Sequence, residues 1–274
     1  MLSVLILAAT PIGNLGDASP RLREAIATAS FVACEDTRSF RQLCGALGVE
    51  THAKLLSLHD HNERSRLEEI VALADSHDVL LVSDAGIPTI SDPGYALVSA
   101  CSESGVEVSI IPGPSAAISA LAISGLPTDR FCFEGFLPRK AGERGAALQA
   151  LREEKRTMIF YEAPHRIQQS LEAMLEVLGD RKAAVVRELT KKFEQTARGS
   201  LSELVEWAKG EPKGEMVIVV AGTAGSEFDY DELGRRALEL AAEGLGLKQA
   251  ASDLAGATGA SKSVIYEHAL RLKP

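Results

Sequence analysis

The sequence predicts an α/β protein: two α/β domains followed by a small α-helical module. Three observations carry that prediction. Short apolar runs alternate with helical patterns through the first 125 residues, as in a parallel sheet covered by helical crossovers. From about residue 131 the apolar runs lie closer together, which suits a mixed sheet in a second domain. After Gly222 the strand patterns stop and only helical periodicity remains.

Taken in order, the first strand is expected at 2–8, where Leu-Ser-Val-Leu-Ile-Leu-Ala runs into the loop Thr10-Pro11-Ile12-Gly13-Asn14-Leu15. Further strands are read at 31–34, 54–58, 78–83 and 106–111, with helices near 20–29, 37–47, 63–75 and 94–104. Segment 113–128 joins the two halves through a helix of small residues. In the second half the strands are 131–136, 157–161, 183–188, 195–199 and 216–221, and the helices lie near 143–154, 165–178 and 200–208. Tail helices are expected at 229–243, 247–256 and 262–272. Ser261 is positioned to cap the last, with Val264, Ile265, Ala269 and Leu272 on one face. Gly256 and Gly259 between the last two helices fit either a helix-turn-helix or generic helical packing. The domain boundaries that follow are 1–113, 114–224 and 225–274.

The bulk composition narrows the function classes. With 46% hydrophobic and 24% charged residues, the chain reads as an ordinary soluble globular protein. Its apolar runs fall far short of the roughly 20 residues of a membrane span. Without a basic leader, the apolar start reads as a core strand rather than a signal sequence. Cys34, Cys44, Cys101 and Cys132 have no metal-ligand spacing, so buried thiols in a reducing cytoplasm are expected. A net charge of −9 argues against a general nucleic-acid binder, yet residues 126–200 hold 14 basic against 11 acidic side chains. A polyanion would dock there, on Arg130, Arg139, Lys140, Arg144, Lys155, Arg156, Lys191 and Lys192. A plain solvated surface explains that excess equally well.

Loops at the carboxyl ends of parallel strands are where open α/β sheets bind small molecules. Neither Gly-x-Gly-x-x-Gly nor a Gly-Lys-Ser/Thr phosphate loop occurs, so the pocket suits a nucleoside without phosphates such as S-adenosylmethionine. Asp84, in Ser83-Asp84-Ala85-Gly86-Ile87-Pro88, either accepts hydrogen bonds from a ligand or caps the next helix. Gly86 would let backbone approach a ligand closely. Ser115, in Pro112-Gly113-Pro114-Ser115-Ala116, is an expected N-cap that leaves helix N–H groups for a ligand acceptor. Tyr161-Glu162-Ala163-Pro164-His165-Arg166 and Arg187-Glu188-Leu189-Thr190-Lys191 are polar clusters at strand ends. His165 either caps a helix or moves protons. Glu35 and Asp36, in Cys34-Glu35-Asp36-Thr37-Arg38, either form part of a site or favour the start of the next helix. No metal is expected, because zinc and calcium spacings are both missing.

These strings together resemble the tetrapyrrole methylase superfamily of S-adenosylmethionine-dependent methyltransferases over about residues 2–222. With Ser91-Asp92-Pro93-Gly94 and Lys213-Gly214-Glu215-Met216 they resemble more closely the ribosomal RNA small subunit methyltransferase I family. The resemblance implies 2′-O-methylation of a cytidine in the decoding centre of bacterial 16S ribosomal RNA, and a cytoplasmic homodimer acting on the small ribosomal subunit. It implies two α/β domains with the cofactor in the cleft between them. Pro11, Asp84, Gly86, Ile87, Ser115 and Ala116 would contact it from the first domain, and Tyr161, Val186, Glu215 and Met216 from the second. The helical tail resembles the extra module of that family.

Removing the proton of a ribose hydroxyl calls for a positioned base. Glu188 and Lys191 are the candidates, with Glu35 and Asp36 behind them; Lys191 needs a depressed pKa to serve, or else orients phosphate while charged. The expected RNA contacts are Glu35, Asp36, Arg38, Arg139, Lys140, Arg166, Arg187 and Lys192. Two rivals stand beside this reading: a tetrapyrrole methyltransferase on the same scaffold, and a non-catalytic nucleic-acid-binding regulator built around the tail.

Overall fold

Five apolar runs of the first half become β1 (Val4–Ala8), β2 (Phe31–Cys34), β3 (Lys54–Ser57), β4 (Val79–Val82) and β5 (Glu107–Ile111). They belong to a computed structural model that describes residues 3–59, 61–223, 229–258 and 260–273. Leu2, Asp60, the predicted boundary at 224/225 and Gly259 lie outside the described residues. All five strands pair in parallel, in the order β3-β2-β4-β1-β5. Parallel neighbours need long crossovers, here α1 (Pro20–Thr28), α2 (Thr37–Leu47), α3 (Glu63–Ser76) and α4 (Tyr95–Glu103).

Local chemistry fixes where these helices begin. Ser19 accepts from the Leu22 N–H at 3.0 Å ahead of Pro20, which starts α1 where its missing N–H does no harm. Asp36 caps α2, accepting from the Arg38 N–H at 2.7 Å, so the helix-start reading of this carboxylate is realised. At α4 the N-cap is Gly94, which has no side chain to offer. Glu63 of α3 supplies the acceptor instead, its Oε1 taking the N–H bonds of Gly94 (3.0 Å), Ala96 (3.0 Å) and Leu97 (3.3 Å).

The segment expected to join the halves is α5 (Ala116–Ser124), and its packing assigns it to the second sheet. Ala117, Ala120 and Leu121 lie against Ile159, Val186, Val217 and Val219. That sheet comprises β6 (Phe131–Phe136), β7 (Thr157–Glu162), β8 (Lys182–Arg187), β9 (Gln195–Ser200) and β10 (Met216–Val220), in the order β6-β7-β10-β8-β9. Only β6 and β7 run parallel, so the sheet is mixed. Its other face is covered by α6 (Ala141–Ala150), α7 (Ile167–Leu178) and α8 (Leu201–Ala208), around Phe160, Leu171, Met174 and Leu204. Covered on both faces, β10 is buried at every residue of Met-Val-Ile-Val-Val. Ser200 and Glu203 close a reciprocal capping box at the start of α8.

One helix ends earlier than its sequence pattern. The pattern near 143–154 stops at Ala150, because Leu151, Arg152 and Glu154 bond three residues back rather than four. The Arg181 guanidinium then takes the Arg152 carbonyl that the turn leaves open. Residues 1–222 form one compact unit and 223–274 another. In the second, α9 (Tyr230–Ala242), α10 (Leu247–Thr258) and α11 (Lys262–Leu272) enclose an alanine-rich core of Ala237, Ala250, Ala251, Ile265 and Ala269. Ser261 does precede α11, but its hydroxyl faces Ser263 at 3.0 Å and caps no backbone N–H. Ile265 and Ala269 are buried as expected, whereas Leu272, the last residue of the helix, is exposed. No helix among the described residues is long and apolar enough to cross a membrane.

Phe160 is fully buried at the centre of the second sheet. Phe160→Ala is expected to destabilise the fold by about 3–5 kcal/mol, measured as a lower urea midpoint at unchanged slope.

Candidate active site

Because β4, β1 and β5 are adjacent and parallel, the loops that follow them emerge side by side at one edge. Backbone bonds stitch the first two together: Thr10 N–H to Gly86 O (2.9 Å) and Gly86 N–H to Thr10 O (3.2 Å). The buried Thr10 hydroxyl donates to the Ser83 carbonyl at 3.2 Å and locks the turn. Ala9 N–H, bonded to Ile111 O at 3.0 Å, ties in the third.

Across from these loops stand the ends of β7, β8 and β10, and between the two sets lies a cavity of about 340 Å³. Gly86, Ile87, Ser115 and Ala116 line it from one side, and Tyr161, Val186, Glu215 and Met216 from the other. Pro11 and Asp84 are not in the lining; their neighbours Ile12 and Ala85 are. Pro11 is buried, and Asp84 is exposed, with its charge helping to push up the Cys34 thiol after burial has done most of that work. Sequence reasoning nominated neither Asp92 nor Glu162, both of which reach the lining, nor the apolar Ile90, Phe136 and Leu189. The motifs containing Asp92 and Glu162 were the available signal.

The lining is apolar with three carboxylates, Asp92, Glu162 and Glu215, and no lysine, arginine or histidine. Such a cavity offers phosphates and polycarboxylates no cationic partner. It suits a flat apolar body that carries positive charge. The start of α5 adds two polar features. Ser115 caps the helix, accepting from the Ile118 N–H at 3.5 Å. Burial raises the pKa of the Tyr161 phenol, with the Ala117 N–H opposing that rise, so the hydroxyl stays neutral. A sulfonium-bearing nucleoside fits this set of groups.

Glu162 is buried and surrounded by partners. It accepts from the Ala163 N–H (2.9 Å) and the Ser170 hydroxyl, and pairs with the Arg166 guanidinium at 3.4 Å. Arg166 also donates to the carbonyls of Leu137 (2.7 Å) and Pro138 (3.1 Å), and its side chain is only 13% exposed. Arg166, expected to contact RNA, is placed by the structure as an internal strut paired with Glu162. Arg144, expected on the basic surface, is likewise buried. Arg156 is held by both oxygens of Glu154.

Glu188 and Lys191 sit on a tight loop after β8. Glu188 (φ +50°) and Thr190 (φ +64°) adopt left-handed backbone that non-glycine residues avoid, which is strain of the kind stored at functional sites. Two glycines make room for the loop. A Cβ at Gly13 would lie 2.6 Å from Lys191 Cγ, and one at Gly214 would lie 2.4 Å from Glu188 Cγ. Lys191 Nζ donates to Glu188 Oε1 (3.0 Å) and Glu215 Oε2 (2.8 Å), while the Glu215 N–H donates to Glu188 Oε1 at 3.1 Å. Arg187 Nε and Thr190 Oγ1 are buried in this loop without a hydrogen-bond partner among the described residues, an unusual concentration of unsatisfied polar atoms.

These contacts set the protonation states. The Lys191 hydrogen bond, followed by the Glu215 N–H, holds the Glu188 carboxyl below its ordinary range against burial. Burial pulls the Lys191 pKa down, but its bonds to Glu215 and Glu188 outweigh that and hold it above the ordinary lysine value. Of the two roles expected for Lys191, these contacts favour the charged one, because a base would need the opposite shift. Glu35 and Asp36 are half-buried beside α2, and Arg38, Arg139, Lys140 and Lys192 are exposed. Lys140 pairs with Glu143 at 2.9 Å.

The family described as Tetrapyrrole (Corrin/Porphyrin) Methylases matches residues 4–205, and the RsmI C-terminal HTH domain matches residues 230–273. Proteins named ribosomal RNA small subunit methyltransferase I are similar over nearly the whole chain. The one from Mycobacterium tuberculosis (strain CDC 1551 / Oshkosh) is 47% identical, covering 97% of this chain and 94% of that protein. The one from Escherichia coli O157:H7 is 44% identical, with the same coverage. Among solved structures, diphthine synthase superposes with a TM-score of 0.62 at 18% identity, over 80% of this chain and 89% of that one. Uroporphyrin-III C-methyl transferase from Thermus thermophilus, complexed with S-adenyl homocysteine, gives 0.53 at 20% identity, over 79% and 96%. At those identities the structural likeness establishes the fold.

The Glu188–Lys191 pair has a pH signature. A lowered carboxyl pKa contributes stability that is present above the unfolded value of 4.5 and lost as pH falls through the folded one. A raised lysine pKa contributes below 10.5 and is lost as pH rises through the folded value. Lys191→Met is expected to move the Glu188 titration upward toward 4.5, followed by carbon-13 NMR of the carboxyl group. An unmoved titration would show that the ammonium does not set it.

Proposed function

The chain belongs to the ribosomal RNA small subunit methyltransferase I family, and from that premise we propose that it transfers a methyl group from S-adenosylmethionine to the 2′-oxygen of a cytidine in the decoding centre of bacterial 16S ribosomal RNA. One observation carries the reading: the cation-free, carboxylate-bearing apolar cavity lies next to a strained loop that holds an ionised glutamate. The cofactor supplies a methyl group activated on a positive sulfur. The protein supplies alignment, exclusion of water and a proton acceptor.

On this reading Ile87, Ala116, Val186 and Met216 enclose the flat ring, and Gly86 and Ser115 present backbone and hydroxyl to the sugar and amino-acid portions. The absence of any cation from the lining leaves room for the positive charge of the ligand. Glu188 serves as the proton acceptor. Its Oε1 is held by Lys191 and the Glu215 N–H, which leaves Oε2 for the ribose hydroxyl. Lys191, protonated, orients the carboxylate and is free to exchange to a phosphate oxygen. Such an exchange would raise the proton affinity of Glu188 as substrate arrives. Exposed Arg38, Arg139, Lys140 and Lys192 form the RNA-facing set, with Arg187 beside them. The proposal keeps three parts, 1–113, 114–224 and 225–274, with the cofactor between the first two. It also takes the active species to be a cytoplasmic homodimer acting on the assembled small subunit. Apolar side chains left exposed on β6 (Phe131) and α5 (Ile118, Ile123) support a second copy as neighbour.

Purified protein with labelled cofactor and small ribosomal subunits from cells lacking this enzyme is expected to label one cytidine ribose; subunits left unlabelled would refute the proposal. Glu188→Gln is expected to lower kcat roughly 10²- to 10⁴-fold while cofactor affinity by calorimetry stays within about two-fold. Ala116→Phe, which fills the cavity, is expected to abolish cofactor uptake in the same calorimeter with the thermal midpoint little changed.

A further inference from the structure

Methyl transfer as proposed makes no use of Phe193, although this ring stands on the same loop as Glu188 and Lys191 and is 64% exposed. The loop does not present it loosely. The Thr190 N–H donates to Glu194 Oε2 at 2.6 Å, the Glu194 N–H to the Lys191 carbonyl at 3.1 Å, and the Lys191 N–H to the Glu188 carbonyl at 2.9 Å. Phe193 is thus carried on an ordered turn. Its ring borders a hollow of about 390 Å³ lined also by Arg187, Pro212, Lys213 and Glu188 itself. Lys192 Nζ lies 5.5 Å from the ring centroid.

An aromatic face left in water gains little from folding, and three cations gathered round it favour a polyanion that also carries flat rings. Unpaired nucleotides have that chemistry. Their bases stack on aromatic side chains while lysine and arginine take the phosphates. Glu211, the other carboxylate of the hollow, is of the type that accepts from a cytosine amino group. A nucleotide that swings out of its stack to present its ribose to a methyl donor loses stacking, and an aromatic face beside the site can replace it.

We propose that Phe193, flanked by Arg187, Lys192 and Lys213, is a stacking subsite for one unpaired nucleobase of the RNA, and that this contact sets the nucleotide whose ribose faces Glu188. The inference rests on the ribosomal reading above and adds to it a specificity-determining residue. Because Phe193 is exposed, replacing it should leave the fold intact.

The experiment measures methyl transfer to small ribosomal subunits under steady-state conditions, with cofactor affinity followed separately. Phe193→Ala is expected to lower kcat/KM for subunits about 10- to 100-fold, mostly through KM, with cofactor affinity unchanged. Phe193→Trp is expected to restore transfer, and Phe193→Leu, apolar but without a π face, is not. Lys213→Gln should raise KM and flatten its dependence on salt. Transfer by Phe193→Ala or by Phe193→Leu within two-fold of wild type overturns the stacking site and leaves the ribosomal reading standing. Wild-type protein that labels no subunit overturns both.

Discussion

A parallel strand can deliver the loop that follows it to one edge of its sheet only, and the site depends on this constraint. With β4, β1 and β5 adjacent and parallel, the three loops rich in proline and glycine have no other place to go. The Thr10–Gly86 bridge converts that proximity into a fixed wall. The second wall comes from a mixed sheet, and α5 belongs to both: it starts in the loop after β5 and buries its alanines on the second sheet. Small side chains on α5 allow the helix to lie close to the strands.

Charge is distributed by the same logic. The cavity keeps its cations outside the lining, and those that come close are engaged by carboxylates. Arg166 pairs with Glu162, and Lys191 bridges Glu188 and Glu215. Removing one member of a buried pair leaves the other uncompensated, so Arg166 and Glu162 are more constrained than their surface-like residue types suggest. The left-handed backbone at Glu188 and Thr190 and the closeness of Gly13 and Gly214 show one loop held on all sides by its neighbours.

The fold was legible in the sequence to within a few residues, because hydrophobic periodicity is a local property of a strand or helix. β2 spans the residues the pattern gave, and α6 was overextended only because nothing in its sequence announces the Arg181 guanidinium that closes the turn after Ala150. The strings around Gly86, Ser115, Tyr161 and Met216 pointed to the cavity because loops at strand ends are positioned by topology. Pro11 and Asp84 missed its lining by one residue each, since the path of a loop in space, not its sequence, decides which side chains reach a cavity.

By itself the sequence determined the element order, the loop that follows each strand and the family of the chain. Those follow from periodicity, turn residues and motif strings, which are read along the chain. Tertiary structure alone decided which charges are free. Arg166 and Lys140 are the same kind of cation on paper, yet one is sealed against Glu162 and two carbonyls while the other stands in water beside Glu143. It also decided in which direction the Lys191 pKa moves, because a pKa is set by partners brought together from Glu188 and Glu215, and burial acts through distance in space rather than along the sequence.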